Sequence, residues 1–71
     1  SVAPPTKVFV NILVAADGTV KEPNISYNPS GDEALAEEAK RVVLAWKYKP
    51  AEVNGRPVPS RITVPVTFTS E

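Results

Sequence analysis

Few residues of this 71-residue chain could do covalent chemistry, and their placement disarms each of them. There is no histidine and no cysteine. Ser-His and Cys-His couples, disulfides and most transition-metal sites therefore lack their reacting groups. A serine activated by lysine remains conceivable. Ser60, however, is followed by Arg61, which is no base, and Ser30 precedes a run that starts a helix, where a hydroxyl serves as a cap. Glu37 and Glu38 are adjacent on that helix and do not converge on one site. Asp17-Gly18 opens like a calcium loop but lacks the ligand spacing. Three glycines form no phosphate-cradling motif. No cofactor is implied, and an enzyme is not the expected reading.

The residues that stand out work through the backbone. In the stretch Arg61, Ile62, Thr63, Val64, Pro65, Val66, Thr67, Phe68, Thr69, apolar residues alternate with threonines, and a proline sits at the centre. Alternation of this kind is a strand pattern. Proline has no N–H to give a ladder, so a proline in mid-strand points to a sheet edge. A long, alternating edge is a place where another chain can add a strand. In a strand the N–H and C=O of one residue point to the same side, and successive residues alternate. With Pro65 facing the open side, Val64 and Val66 bond inward, and Thr63 and Thr67 offer their backbone groups outward. The plain alternative is that Pro65 only guards the edge against aggregation. Arg56 and Arg61 flank this region and could meet acidic residues of a partner, though exposed pairs contribute only about 0–1 kcal/mol.

These residues must be positioned by a small scaffold. Seventy-one residues form one domain, with a net stability of about 3–5 kcal/mol. Eight basic and eight acidic residues cancel, which gives no footing for nucleic acid or an anionic membrane. Phe9 is the only aromatic expected on an exposed sheet face, too few for an RNA-stacking platform. No apolar run is long enough to span a bilayer. The chain starts at Ser1 and contains no methionine, so it reads as a processed or excised piece.

Ser1–Thr6 reads as an extended lead-in, with Pro4 and Pro5 blocking regular structure. Lys7 to Ala16 is a strand with Val8, Val10, Ile12 and Val14 on its core face. Phe9 and Leu13 form a small apolar patch on the other face. Asp17-Gly18 is a hairpin turn. A second strand covers Thr19 to Tyr27, with Val20, Ile25 and Tyr27 as its apolar residues. Its alternation breaks around Pro23, where a bulge or an outer-edge position is expected. Ser30 with Glu33 matches a capping box, and a helix runs from Asp32 to Trp46. Leu35, Ala39, Val42, Val43 and Trp46 make its apolar stripe, and Glu37–Arg41 is a favourable i,i+4 pair on a solvated face. Trp46 packs in the core, and Tyr48 alternates away from it, either to cap the sheet end or to reach solvent. Lys49-Pro50 closes the helical region, Asn54-Gly55 makes a tight turn, and Pro57 and Pro59 hold the next stretch extended. The outline is β-β-α-β. One apolar helix stripe covers one face of a three-stranded antiparallel sheet, which makes a two-layer α+β sandwich.

VFVNILVAADGTV, followed by GDEALAEEAKRVVLAWKYKPAEVNGRPVPSRITVPVTF, resembles the TonB C-terminal domain family from Lys7 to Phe68. The marks are the strand–Asp-Gly–strand opening, the Trp-x-Tyr-x-Pro-Ala corner, the Asn-Gly-x-Pro-Val turn and the Val-Pro-Val-x-Phe strand. The resemblance implies a periplasmic interaction domain of an energy transducer, held to the inner membrane through a segment outside this chain. It further implies inner-membrane motor proteins as partners of that segment. It also implies that an extended peptide, the TonB box of an outer-membrane transporter, adds as a strand to Arg61–Thr69. Two features depart from the family pattern. Only SVAPPT precedes the first strand, where the transducers have a short helix, and Ala36 rather than aspartate follows Leu35. The alternative is a TonB-like structural module of another envelope or motility machine with its own protein partner. A free edge also leaves a strand-exchanged homodimer open.

Overall fold

The computed structural model describes residues 5–69. Its elements are β1 (Thr6–Val14), β2 (Val20–Tyr27), α1 (Glu33–Leu44), β3 (Ala51–Val53), β4 (Arg56–Val58) and β5 (Ser60–Phe68). β1 is the middle of a three-stranded antiparallel sheet of order β2-β1-β5, and β3 and β4 form a separate small hairpin. The α+β sandwich follows from this arrangement. The extended lead-in falls mostly on Ser1–Pro4, outside the described residues; β1 starts at Thr6, one residue before the expected boundary.

β1 is central because its even positions are all β-branched. Val8, Val10, Ile12 and Val14 are fully buried beneath α1, together with Val20, Ala39, Val43, Val64 and Val66. Leu35, Val42, Trp46, Ile25 and Phe68 pack around this cluster from the rim, and Tyr48 does too, beside Trp46, so it does not turn away from the core as expected. The predicted helix stripe is therefore the face that meets the sheet.

The helix boundaries differ from those read in the sequence. The cap is Asp32, whose carboxylate accepts from the Ala34 N–H at 2.9 Å. Ser30 is held one turn earlier: its hydroxyl donates to Asn28 Oδ1 and accepts from the Asp32 N–H at 3.0 Å. The Asn28 side chain thus draws Ser30 into a turn of its own, and the capping box does not form. At the other end α1 stops at Leu44, not Trp46. Ala45 and Trp46 donate to the carbonyls of Val42 and Val43, which tightens the last turn. Lys47 then bridges to Thr19, and the Tyr48 N–H donates to the Gly18 carbonyl at 2.9 Å. The exit from the helix is thereby tied to the β1–β2 turn. On the solvent side Arg41 pairs with Glu38 and Lys40 with Glu37, both i,i+3, so the expected Glu37–Arg41 pair is replaced.

The β1–β2 turn carries a local electrostatic device. Asp17 Oδ1 accepts from the Thr19 hydroxyl at 2.6 Å and from the Thr19 N–H at 2.9 Å. These two bonds, the hydroxyl first, hold the Asp17 carboxyl below its ordinary value of 3.8, with Lys47 and Lys21 adding to the effect. A depressed carboxyl pKa stabilises the fold above the unfolded value, and that contribution is lost as pH falls through the folded value. Asp17 is expected to titrate below 3.8 by NMR, and Thr19→Ala to move it upward. An Asp17 that titrates at 3.8 or above would refute the assignment.

Candidate functional site

β5 lies at one edge of the sheet and pairs only with β1 among the described strands. Its ladder runs from Thr6↔Phe68 to Val14↔Ser60 with no register shift. Such a ladder lets the direction of every backbone group be worked out from one fixed point. The Ala15 N–H donates to the Thr19 carbonyl at 2.9 Å, so Ala15 faces β2. Alternation along β1 makes Phe9, Asn11 and Leu13 face β2 as well, and turns Val8, Val10, Ile12 and Val14 toward β5. Their partners Val66, Val64, Ile62 and Ser60 carry the ladder bonds. Arg61, Thr63, Pro65 and Thr67 therefore direct their backbone groups outward. Pro65, opposite Phe9, has its missing N–H on the open side, where the ladder loses nothing.

The other edge is built differently. β2 slips against β1 twice, between Phe9 and Val10 and between Asn11 and Leu13. In each place β2 carries the extra residue, at Ser26 and at Glu22-Pro23. Glu22 has a φ of +52°, a left-handed conformation that bends the strand. The bulge expected at Pro23 is present. Two bulges, a proline and a left-handed residue leave β2 without a straight run of outward groups, and such edges resist pairing. β5 is the straight edge.

The side chains of β5 alternate as the sequence predicts. Val64 and Val66 are buried, Phe68 is half-buried, and Thr63, Pro65, Thr67 and Thr69 are exposed. Thr69 lies just past the strand end. Ile62 shares the core face but lies beyond the cover of the helix and is 38% exposed. Arg61 is not a free cation. Its guanidinium donates to Glu22 Oε1 at 2.9 Å across β1, with both side chains largely exposed. Arg56 lies in β4, in the separate hairpin, and is exposed. The structure thus gathers Arg61–Phe68 on one strand and leaves Arg56 in another sheet.

The face of the sheet away from α1 holds features that strand-by-strand reading missed. Phe9 stacks on Tyr27 of β2, with ring centroids 6.3 Å apart and planes 26° apart, and faces Pro65 on β5. The Ser26 bulge of β2 makes this possible, because it shifts Tyr27 off the face of Ile25 and onto that of Phe9. Phe9 therefore pairs across the sheet with Tyr27, and Leu13 lies apart, between Arg61 and Lys21. Next to the aromatic row, the Thr63 hydroxyl donates to Asn11 Oδ1 at 2.5 Å, and Asn11 Nδ2 donates to Asn24 Oδ1 at 3.2 Å. The break in alternation at Pro23 marks only the bulge at Glu22-Pro23, and nothing in the sequence marks the one at Ser26, on which the aromatic row depends.

No group of three or more potential metal ligands occurs among the described residues. What the arrangement can do is hydrogen-bond an extended chain along β5 and present ordered rows of side chains beside it. A family model described as the Gram-negative bacterial TonB protein C-terminal matches residues 6–70. No curated protein and no solved structure matches the chain.

Proposed function

The chain belongs to the family of C-terminal domains of Gram-negative bacterial TonB proteins, and from that premise we propose that it binds an extended peptide by adding it as a strand along β5. The family is one of periplasmic energy-transduction and interaction domains, so the partner sought is another envelope protein. The TonB box of an outer-membrane transporter is the leading candidate. The attachment of the domain to the inner membrane and to motor proteins there belongs to this same proposal, through sequence outside the chain.

One observation carries the reading: an unshifted edge strand whose outward groups are those of Arg61, Thr63, Pro65 and Thr67. An added strand finds N–H donors at 61, 63 and 67 and none at 65. Each backbone bond contributes about 1 kcal/mol, so affinity would be modest and would depend on several bonds forming together.

The test is an NMR titration of the labelled domain with a TonB-box peptide from a co-encoded outer-membrane transporter. Shifts are expected to concentrate on Arg61–Thr69. Thr67→Pro removes an outward donor and leaves the β1 ladder intact. It should weaken binding about tenfold, through one lost bond and a ring in the path of the added chain. A folded domain that shows no β5 shifts at millimolar peptide would reject the transporter as partner and favour a TonB-like module of another envelope or motility machine. Binding that is indifferent to Thr67→Pro would place the peptide elsewhere.

A further inference from the structure

We propose that the row Tyr27–Phe9–Pro65 selects the side chain at one position of the added strand, demanding a large apolar, preferably aromatic, residue opposite Pro65. The inference rests on strand addition at β5 and names what the partner must carry there.

Neighbouring strands place directly opposed residues on the same face of a sheet. Tyr27, Phe9 and Pro65 stand opposite one another on β2, β1 and β5, on the face away from α1. Whatever residue an added strand places opposite Pro65 becomes the fourth member of the row, whether the strand runs parallel or antiparallel. That residue lies beside the Pro65 ring, with the Phe9–Tyr27 stack behind it.

The row has little else to explain it. Tyr27 is 60% exposed and contributes nothing to the core under α1. Pro65 is exposed as well. Three apolar rings in line on a wet face cost solvation unless something covers them. The flanking rows make the position distinct. On one side are Thr63, Asn11 and Asn24, already joined by hydrogen bonds, with Arg61 and Glu22 beyond them. On the other are Thr67 and Lys7. The surface is hollowed beside the row, on one side between Asn11, Asn24 and Thr63 and on the other between Lys7, Phe9 and Thr67. A peptide side chain two residues either way from the Pro65 position meets polar groups instead. The missing N–H at Pro65 and the apolar row coincide, so backbone and side-chain signals fix the same register.

The probe is a pair of synthetic nine-residue peptides alternating threonine and valine, glutamate at each end, with phenylalanine or serine at the centre. Affinity is read by NMR titration. The phenylalanine peptide should bind about tenfold more tightly, from partial burial of one aromatic side chain. Phe9→Thr should reduce that preference to less than threefold while shifts at β5 persist. Pro65→Thr separates the two signals. It restores an outward N–H, so both peptides should bind more tightly, yet the preference for phenylalanine should fall. If both peptides shift β5 with equal affinity, strand addition stands and the selection proposed here is wrong. If neither peptide shifts β5, strand addition and selection fail together.

Discussion

Gly18→Ala is expected to leave the domain largely unfolded at room temperature. Gly18 is buried in the β1–β2 turn with a φ of +86°, and a Cβ built there would lie 2.4 Å from the Tyr48 carbonyl oxygen. A left-handed alanine alone costs about 1–2 kcal/mol. The contact with Tyr48 adds more, because the obstacle is backbone, and the bond from the Tyr48 N–H to the Gly18 carbonyl holds it in place. A total of about 3 kcal/mol or more is comparable with the whole stability of a domain this small. Gly55→Ala is the control. Gly55 also has a positive φ, +78°, but nothing lies within 4 Å of the added carbon, so only the conformational cost of about 1–2 kcal/mol applies. Urea denaturation followed by circular dichroism measures both. Equal losses would mean that the helix exit is not clamped to the turn as described.

Val66→Pro should be nearly as damaging, while Thr67→Pro, one residue away, should leave folding almost untouched. Val66 is buried, faces Val8, and directs its backbone groups into the β1 ladder. Proline there removes a ladder donor and leaves the Val8 carbonyl buried without its partner, at about 1–3 kcal/mol, and the lost valine packing adds to it. Thr67 faces outward and already follows the pattern set by Pro65. Melting temperatures of the two variants decide the matter directly. If Thr67→Pro unfolded the domain and Val66→Pro did not, the outward and inward sets of β5 would be interchanged, and the binding edge would have to be redrawn.

Most of the scaffold was readable because its strongest elements have unambiguous periods. The even residues of β1 are uniformly β-branched, and β5 alternates valine with threonine, so strand, face and edge follow from pattern alone. Pro65 even made the direction of each backbone group a conditional statement, which the Ala15–Thr19 bond turns into a definite one. The parts that escaped are those decided by distant contacts. The helix stripe reaches Trp46, but the docking of Lys47 and Tyr48 on the β1–β2 turn ends α1 at Leu44. Local propensity cannot register that competition. Ser30 and Asp32 both suit a helix start, and the choice fell to Asp32 because Asn28 captures Ser30. The β3–β4 strands are three residues each around Asn54-Gly55, too short to show alternation, and one contains a proline. At the site, the strand was legible and its surroundings were not. Arg61 reads as a free cation until Glu22 is seen across the sheet, and Tyr27 reads as a neighbour of Ile25 until the bulge is counted.

The unequal edges of the sheet also set how many copies can come together. β2, bulged twice and bent at Glu22, is blunt, whereas β5 is straight, so the sheet has a valence of one. A straight edge can join only another straight edge, and two such domains meeting through β5 consume both. The product is a closed pair with two blunt ends. Growth into a fibre through this sheet would need a second adhesive edge on it, and β2 does not offer one. Crowding in the envelope would then pit self-pairing against partner binding on one strand. A second copy joined through β5 would compete with the partner for that strand.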